Sequence, residues 1–223
     1  MSGAAGAPVP VIDGDVEIAA GVVFGAHVSL HDGVRIGPGC QIGDHVLLGK
    51  PPVLASDSSA PRHEPAPTVI GAGTMLEPYA RVWAGGRLGD GVVLRAQAQV
   101  REGTVIGAGT TMGMGATIAF DNLVGERVWI GPWCAIASPT RIEDDVVLGA
   151  RVVFTNDDAM ARGAVDLRGA VLERGCRIGS GVVLTPSVRI GARAVVEAGS
   201  IVTRDVPAGA RVAGAPAVRV GDA

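Results

Sequence analysis

The sequence is poor in aromatic residues and in cysteine. Phe, Trp and Tyr make up 3% of its 223 residues, so the 48% hydrophobic content is almost entirely Val, Ala, Leu and Ile. The three cysteines, Cys40, Cys134 and Cys176, are odd in number and scattered, which excludes a disulfide framework and a CxxC metal site. The core must therefore be aliphatic, and neither disulfides nor a cysteine-bound metal stabilises it.

Long apolar runs and excess positive charge are also missing. No apolar run approaches the roughly 18–20 residues of a membrane span, and the start of the chain lacks the pattern of a signal peptide. The net charge is −3, so there is no overall positive field for a nucleic acid or an anionic membrane. We expect a soluble, cytoplasmic protein with neither partner.

What the sequence does contain is a repeat of six residues. A large apolar residue recurs at every sixth position in three blocks of hexads. The first positions of these hexads run from residue 12 to 42, from 70 to 148 and from 172 to 202. These blocks contain 26 hexads, and the fifth position of each is small or Val in all but one, where Asn122 stands. A period of six fits neither an α-helix nor an alternating strand. It predicts the short strands of a parallel β-helix, with residues one and five pointing inward and a Gly-permissive corner between flat faces.

This repeat resembles that of the hexapeptide-repeat proteins, whose fold is a left-handed parallel β-helix. The resemblance implies an all-β triangular prism with three hexads in each coil, hence eight to nine coils and a length of about 40 Å. We expect an N-terminal extension at 1–11, the β-helix at 12–207 and a C-terminal tail at 208–223. In this register the cysteines and Phe154 are core residues, whereas Trp83, Trp129 and Trp133 point outward, as subunit contacts do.

Two segments interrupt the repeat and are predicted to be loops that leave the prism. Residues 49–69 contain five prolines and no periodicity, and residues 154–171 separate the second and third blocks. Long excursions from a rigid scaffold are where binding and chemistry concentrate. Loop 49–69 contains His63, and loop 154–171 contains Asn156 and Asp157.

Two further segments narrow the resemblance. The ending GSIVTRDVPAGARVAGAPAVRV is similar to the tail of CoA-dependent hexapeptide acyltransferases, with Ala215 where the family often has Asn. The segment IEDDVVLGARVVFTNDDAMAR resembles one in acetyltransferases that modify amino groups on nucleotide-linked deoxysugars, and LGKPPVL is also typical of that group. The resemblance implies a homotrimer that transfers acetyl from acetyl-CoA to the amino group of a nucleotide-linked amino sugar, with no metal.

The resemblance also implies site residues. In the family, the FTND segment lies at the active-site cleft between subunits, so Asn156 and Asp157 are the foremost catalytic candidates. Asn156 would hold the thioester carbonyl or the acceptor, and Asp157 would accept an amine proton or orient the sugar. An Asx-turn that opens the loop is the structural alternative. Among the four histidines, the loop-borne His63 is the best candidate for a general base.

Binding of acetyl-CoA is expected near the C-terminus, because in the family the pantetheine arm lies along the last coils. Arg204, Arg211 and Arg219 are the cations available there for the CoA phosphates. Gly214 and Pro216 match the tail motif by position.

Three other functions stay open at this stage. The same acyl transfer to an aminocyclitol, a natural-product amine or a hydroxyl is one. A metal enzyme of the carbonic-anhydrase type needs converging histidines, which this sequence does not offer in its central block. A purely structural β-helix would explain the repeat but not the tail.

Overall fold

Thirty short strands build the fold in the computed structural model, which describes residues 8–56, 58, 61, 62, 64, 66–159 and 166–223. In chain order they are β1 (Val11–Asp13), β2 (Val16–Ile18), β3 (Val23–Phe24), β4 (Ser29–His31), β5 (Val34–Ile36), β6 (Gln41–Ile42), β7 (Leu47–Leu48), β8 (Thr68–Ile70), β9 (Met75–Leu76), β10 (Arg81–Val82), β11 (Arg87–Leu88), β12 (Val93–Leu94), β13 (Gln99–Val100), β14 (Val105–Ile106), β15 (Thr111–Met112), β16 (Thr117–Ile118), β17 (Leu123–Val124), β18 (Trp129–Ile130), β19 (Ala135–Ile136), β20 (Arg141–Ile142), β21 (Val147–Leu148), β22 (Val153–Phe154), β23 (Val171–Leu172), β24 (Arg177–Ile178), β25 (Val183–Leu184), β26 (Arg189–Ile190), β27 (Val195–Val196), β28 (Ile201–Val202), β29 (Ala210–Gly214) and β30 (Ala217–Asp222). Among these described residues, no helix has the length and apolar character needed to span a membrane.

The strands form three parallel sheets, as the repeat predicts, and these are the faces of a left-handed β-helix, as the family resemblance implies. Face A contains every third strand from β1 to β28, face B every third strand from β2 to β26, and face C every third strand from β3 to β27, followed by β29 and β30. Successive strands of a face pair in parallel register, 18 residues apart where no loop intervenes, for example Val93 opposite Thr111. Only the last pair, β29 and β30, is antiparallel.

The predicted number of coils is too low. The faces contain ten, nine and eleven strands, which is more than the eight to nine coils expected from the repeat. Four strands are additional to the 26 hexads: those that end at Leu48 and Phe154, before the two interruptions, and the last two, β29 and β30, in the predicted tail. The strands narrow the two loops to residues 49–67 and 155–170.

The core is aliphatic and comes from the first and fifth positions of the hexads. Residues such as Leu94, Ile118 and Leu148 are fully buried. The three cysteines and Phe154 are buried as predicted. Asn122 is also buried, and its amide nitrogen donates to the carbonyl oxygens of Ala119 and Phe120 while its oxygen accepts from the backbone of Thr140. Of the three tryptophans, Trp129 and Trp133 are exposed and Trp83 is half-buried.

The corners depend on backbone conformations that the repeat specifies. The fourth hexad position adopts a positive φ, and eleven residues other than glycine do so, including His27, Tyr79 and Trp133. Third-position aspartates stabilise the corners: Asp44 and Asp90 each accept a hydrogen bond of 2.7 Å from the backbone N–H of the residue one coil earlier. Asp144 caps a corner in the same way and accepts from the backbone N–H of Glu126 at 2.9 Å.

The second hexad position is often glycine because adjacent coils approach closely there. A Cβ at Gly113 would lie 2.5 Å from the backbone nitrogen of Pro132 and 2.7 Å from the carbonyl carbon of Gly131. These neighbours are backbone atoms of the next coil, so they cannot move aside as a side chain would. At Gly221, by contrast, a Cβ would meet no atom within 4 Å.

We therefore expect Gly113→Ala to lower the free energy of unfolding by about 1–3 kcal/mol, the usual cost of overpacking. Gly221→Ala is the matched control and should change it by less than about 0.5 kcal/mol. Urea denaturation followed by circular dichroism measures both. Equal stability of the two variants would contradict the close approach of the coils.

Candidate functional site

Both loops leave the prism at the same corner, where the chain turns from face A to face B. The first loop follows β7 and ends at β8, and the second follows β22 and ends at β23. We call this edge the loop corner. Along face A, β7 and β22 are separated by five coils, or about 24 Å at the usual strand spacing. The turns that make up the loop corner between and beyond the loops are 83–85, 101–103, 119–121, 137–139, 155–157, 185–187 and 203–205.

Asn156 and Asp157 begin the second loop and are half-buried. The side-chain amide nitrogen of Asn156 donates to the backbone carbonyl oxygen of Ser138, one coil earlier. The backbone carbonyl oxygen of Asn156 accepts from the N–H of Arg168 at 2.9 Å. Asp157 Oδ1 accepts from the N–H of Ala159 at 2.8 Å, which is an Asx-turn. The structural alternative is thus present at Asp157, and Asn156 is oriented by the preceding coil.

The histidines are divided between two corners and a loop. His63 lies outside the described residues. His27 and His45 are exposed on the corner between faces C and A, where their rings stack at 4.8 Å and His45 stacks on Tyr79 at 4.8 Å. His31 lies at the N-terminal end of the loop corner, with its Nδ1 3.4 Å from Asp13 Oδ2.

The cations predicted for CoA differ in their surroundings. Arg204 is exposed on the loop corner, two coils beyond Asn156, and has no ion pair among the described residues. Arg211 and Arg219 lie on β29 and β30, which continue face C, and each pairs with an acid: Arg211 with Glu197 at 3.0 Å, and Arg219 with Asp222. Of the three, Arg204 is the one not committed to a protein carboxylate.

The two remaining tail residues form the end of the last hairpin. Gly214 has a φ of 100° and donates its N–H to Ser200 Oγ at 3.2 Å. Pro216 follows in the connection between β29 and β30. Their positions fit a turn, and the structure brings Asn156, Asp157 and Arg204, but neither Gly214 nor Pro216, to the loop corner.

Sequence analysis missed a charged group between the two loops. Glu102 stands at the third position of its hexad on the loop corner, and its side chain is 1% exposed. Both of its oxygens accept from Arg101, Oε2 from Nε and Oε1 from Nη2, each at 2.6 Å. The Arg101 guanidinium lies 5.8 Å from the ring centre of Trp83, in the preceding coil. The sequence feature that indicates this group is the 18-residue spacing between Trp83 and Arg101, which places the two side chains on adjacent coils.

A second charged cluster, on the corner between faces B and C, is structural. Asp145 Oδ1 accepts from Arg127 Nε at 2.8 Å, and this hydrogen bond lowers the pKa of the Asp145 carboxyl below its usual range. Arg174 pairs with Asp144 at 2.9 Å. The cluster is exposed and fully paired across adjacent coils, so it stabilises a corner away from both loops.

The thiols cannot serve as nucleophiles. Cys40 and Cys134 donate to the carbonyl oxygens of Gly71 and Gly149, each at 3.1 Å. Burial raises the pKa of all three thiols, and it raises the pKa of Cys176 to about 12. Because the thiolate is the reactive form, these groups are inert at neutral pH.

Comparison with known proteins places the repeats in a family context. The sequence model of the family described as bacterial transferase hexapeptide (six repeats) matches residues 123–156 and 169–204. Over 167 residues, 72% of this chain, the sequence is 33% identical to the bifunctional protein GlmU of Azoarcus sp. (strain BH72) and 29% identical to that of Aromatoleum aromaticum. The chain spans 35% of the length of each of these relatives.

A solved structure supports the fold. The UDP-N-acetylglucosamine acyltransferase of Campylobacter jejuni superposes with a TM-score of 0.57 at 15% sequence identity. The match covers 95% of this chain and 72% of that one.

The state of the thiols gives a direct test. At pH 8 we expect no cysteine of the native protein to react with Ellman's reagent within an hour, and all three to react in guanidinium chloride, because unfolding removes the burial that raises their pKa. Rapid labelling of a native thiol would show that the fifth positions of the hexads are accessible.

Proposed function

We propose that this chain, whose repeats match the family model described as bacterial transferase hexapeptide over residues 123–156 and 169–204, is an acyltransferase that moves an acyl group from acyl-CoA to a small-molecule acceptor. We propose further that the acyl group is acetyl and that the acceptor is the amino group of a nucleotide-linked amino sugar. The observation that supports this most is the loop corner itself. Both loops, the FTND segment and the uncommitted Arg204 occupy one edge of the prism.

The chemistry requires little of the protein beyond positioning. A neutral amine attacks the thioester carbonyl carbon, a C–N bond forms, the C–S bond breaks, and CoA leaves as a thiol after taking up a proton. The protein must align the two reactants, stabilise the oxyanion and accept the proton that the amine loses.

Asn156 is suited to the oxyanion role. Its amide nitrogen carries two hydrogens, and the bond to the Ser138 carbonyl uses one of them. That bond fixes the plane of the amide, so the second N–H has a defined direction toward a thioester oxygen. In this proposal the Asp157 carboxylate accepts the amine proton, and His63 is the alternative base.

Arg204 is the proposed contact for a CoA phosphate. A guanidinium that is exposed and lacks a carboxylate partner among the described residues can form bidentate hydrogen bonds to phosphate. It lies two coils from Asn156, about 10 Å along the loop corner. The pantetheine arm would cover that distance along the last coils.

We also propose a homotrimer. The exposed rings of Trp129 and Trp133, 46% and 50% accessible, provide large apolar contacts for a neighbouring subunit. In a trimer the second loop of one subunit and a face of the next enclose the acceptor.

Binding of the co-substrate tests the class of enzyme. We expect calorimetry to show micromolar binding of acetyl-CoA, and Arg204→Ala to weaken it by about fivefold to tenfold because a charge-assisted contact is lost. Arg87→Ala, which removes an exposed arginine from face B, is the control and should bind as the wild type does. A well-folded trimer that binds neither CoA nor acetyl-CoA would instead favour a scaffold role.

A substitution at Asn156 tests the mechanism. We expect Asn156→Ala to lower kcat by about 100-fold, as loss of an oxyanion donor does, with the oligomer intact by light scattering. The KM for acetyl-CoA should change little, because the lost contact acts in the transition state. Activity within about twofold of the wild type would assign Asn156 to the turn alone.

A further inference from the structure

A pocket lies at the loop corner beneath the first loop. Its volume is about 200 Å³. We call its apolar lining residues Pro51, Pro52 and Leu54 the apolar wall. We call its charged lining residues Arg62, Glu64 and Glu102 the charged wall. Ala84, one coil before Glu102, also lines it.

The charge at Glu102 is not explained by the fold. Third-position acids elsewhere, such as Asp44 and Asp90, cap a backbone N–H of the adjacent coil, whereas the Glu102 carboxylate accepts, among the described residues, from Arg101 alone. Burying a carboxylate costs several kcal/mol, and one arginine offsets that cost only in part. Each carboxylate oxygen offers two acceptor sites, so Glu102 keeps acceptor capacity beyond the two bonds it makes.

The other two charges on this wall, unlike Glu102, have no charged partner among the described residues. Among the residues that the structure describes, Arg62 and Glu64 form neither an ion pair nor a hydrogen bond, and both are exposed. The pocket thus presents two carboxylates and one guanidinium together with two prolines and a leucine. Such walls match a ligand that has paired hydroxyl donors, an anionic group and a flat or ring-shaped apolar surface.

A ribonucleoside phosphate has all three features. Carboxylates recognise ribose hydroxyls, guanidinium groups bind phosphate, and apolar side chains pack on rings. We infer that the pocket formed by Glu64, Glu102 and Arg62 with the apolar wall binds the ribose and phosphate of a nucleotide. This inference rests on the proposed function, since the nucleotide is then the end of the acceptor remote from the reacting amine.

The spacing along the loop corner fits this assignment. Glu102 and Asn156 occupy the same hexad position three coils apart, a separation of about 14 Å. A nucleotide held at Glu102 with its phosphates directed toward the second loop places an attached sugar near Asn156. Phe120 and Ser138 line the corner between them, half-buried and buried respectively.

Calorimetric titration of the full chain with ADP, GDP, CDP and UDP tests the pocket. We expect at least one to bind, its 2′-deoxy form to bind at least tenfold more weakly, and Ala84→Leu to reduce affinity at least tenfold by filling the pocket. Ala108→Leu is the matched control, because Ala108 has the same hexad position and half-buried state on another corner. Glu64→Gln, on the exposed loop, should weaken binding about threefold to tenfold without affecting folding.

Several results would overturn the inference. These are no binding of any of the four nucleotides, equal binding of the 2′-deoxy form, and equal loss of affinity in Ala84→Leu and Ala108→Leu. The inference would also be overturned if CoA competed with the nucleotide and Ala84→Leu lowered the affinity for acetyl-CoA. That result would assign the pocket to the nucleotide part of CoA. We expect acetyl-CoA affinity to be the same in both leucine variants.

The same titrations separate this inference from the proposed function. If acetyl-CoA binds and transfer occurs while the nucleotides fail to bind, the pocket assignment is wrong and the acyltransferase stands. If the nucleotides bind in the expected pattern while acetyl-CoA does not bind, the pocket stands as a nucleotide site and the acyltransferase proposal fails.

Discussion

The hydrogen bonds between successive coils are the constraint on which everything else in this protein depends. Away from the two loops, each short strand pairs with the strands 18 residues before and after it, so a residue at a given hexad position lies directly above its counterpart in the previous coil. The strands of two or three residues are too short to be stable alone. Only the continuous ladder holds them, and it requires a small or flexible residue wherever two backbones meet.

This ladder turns sequence spacing into distance. Along any corner, residues 18 positions apart are separated by one strand spacing, about 4.8 Å. Stacked groups follow from that fact alone: His27 lies on His45 at 4.8 Å, and Arg101 lies against Trp83. A loop inserted at one corner leaves the ladder intact on both sides, because the pairing resumes in register beyond it, as Val34 opposite Thr68 shows.

Much of the fold and less of the site follow from the sequence. The period of six identifies the inward positions, so the burial of Cys134, Phe154 and Asn122 was predictable. The extra strands were not, because those at Leu48 and Phe154 have no complete hexad after them, and β29 and β30 lie beyond the last hexad. Glu102 was missed because a charged residue at a corner position is normally exposed, and its burial comes from a proline-rich loop that no periodicity places. The hydrogen bond of the Asn156 side chain was not predictable either, because its partner is a backbone carbonyl, which every residue carries.

A rigid rod with loops at one edge also constrains what a ligand must be. The two loops are held five coils apart, and neither can approach the other without breaking the ladder between β7 and β22. A ligand that contacts both loops must therefore bridge the distance of roughly 24 Å between their bases, shortened by however far each loop extends along the corner. A small amine alone cannot do so, whereas a sugar joined to a nucleotide can. Under the proposed function, the number of coils between the loops thus sets the length of acceptor that can contact both.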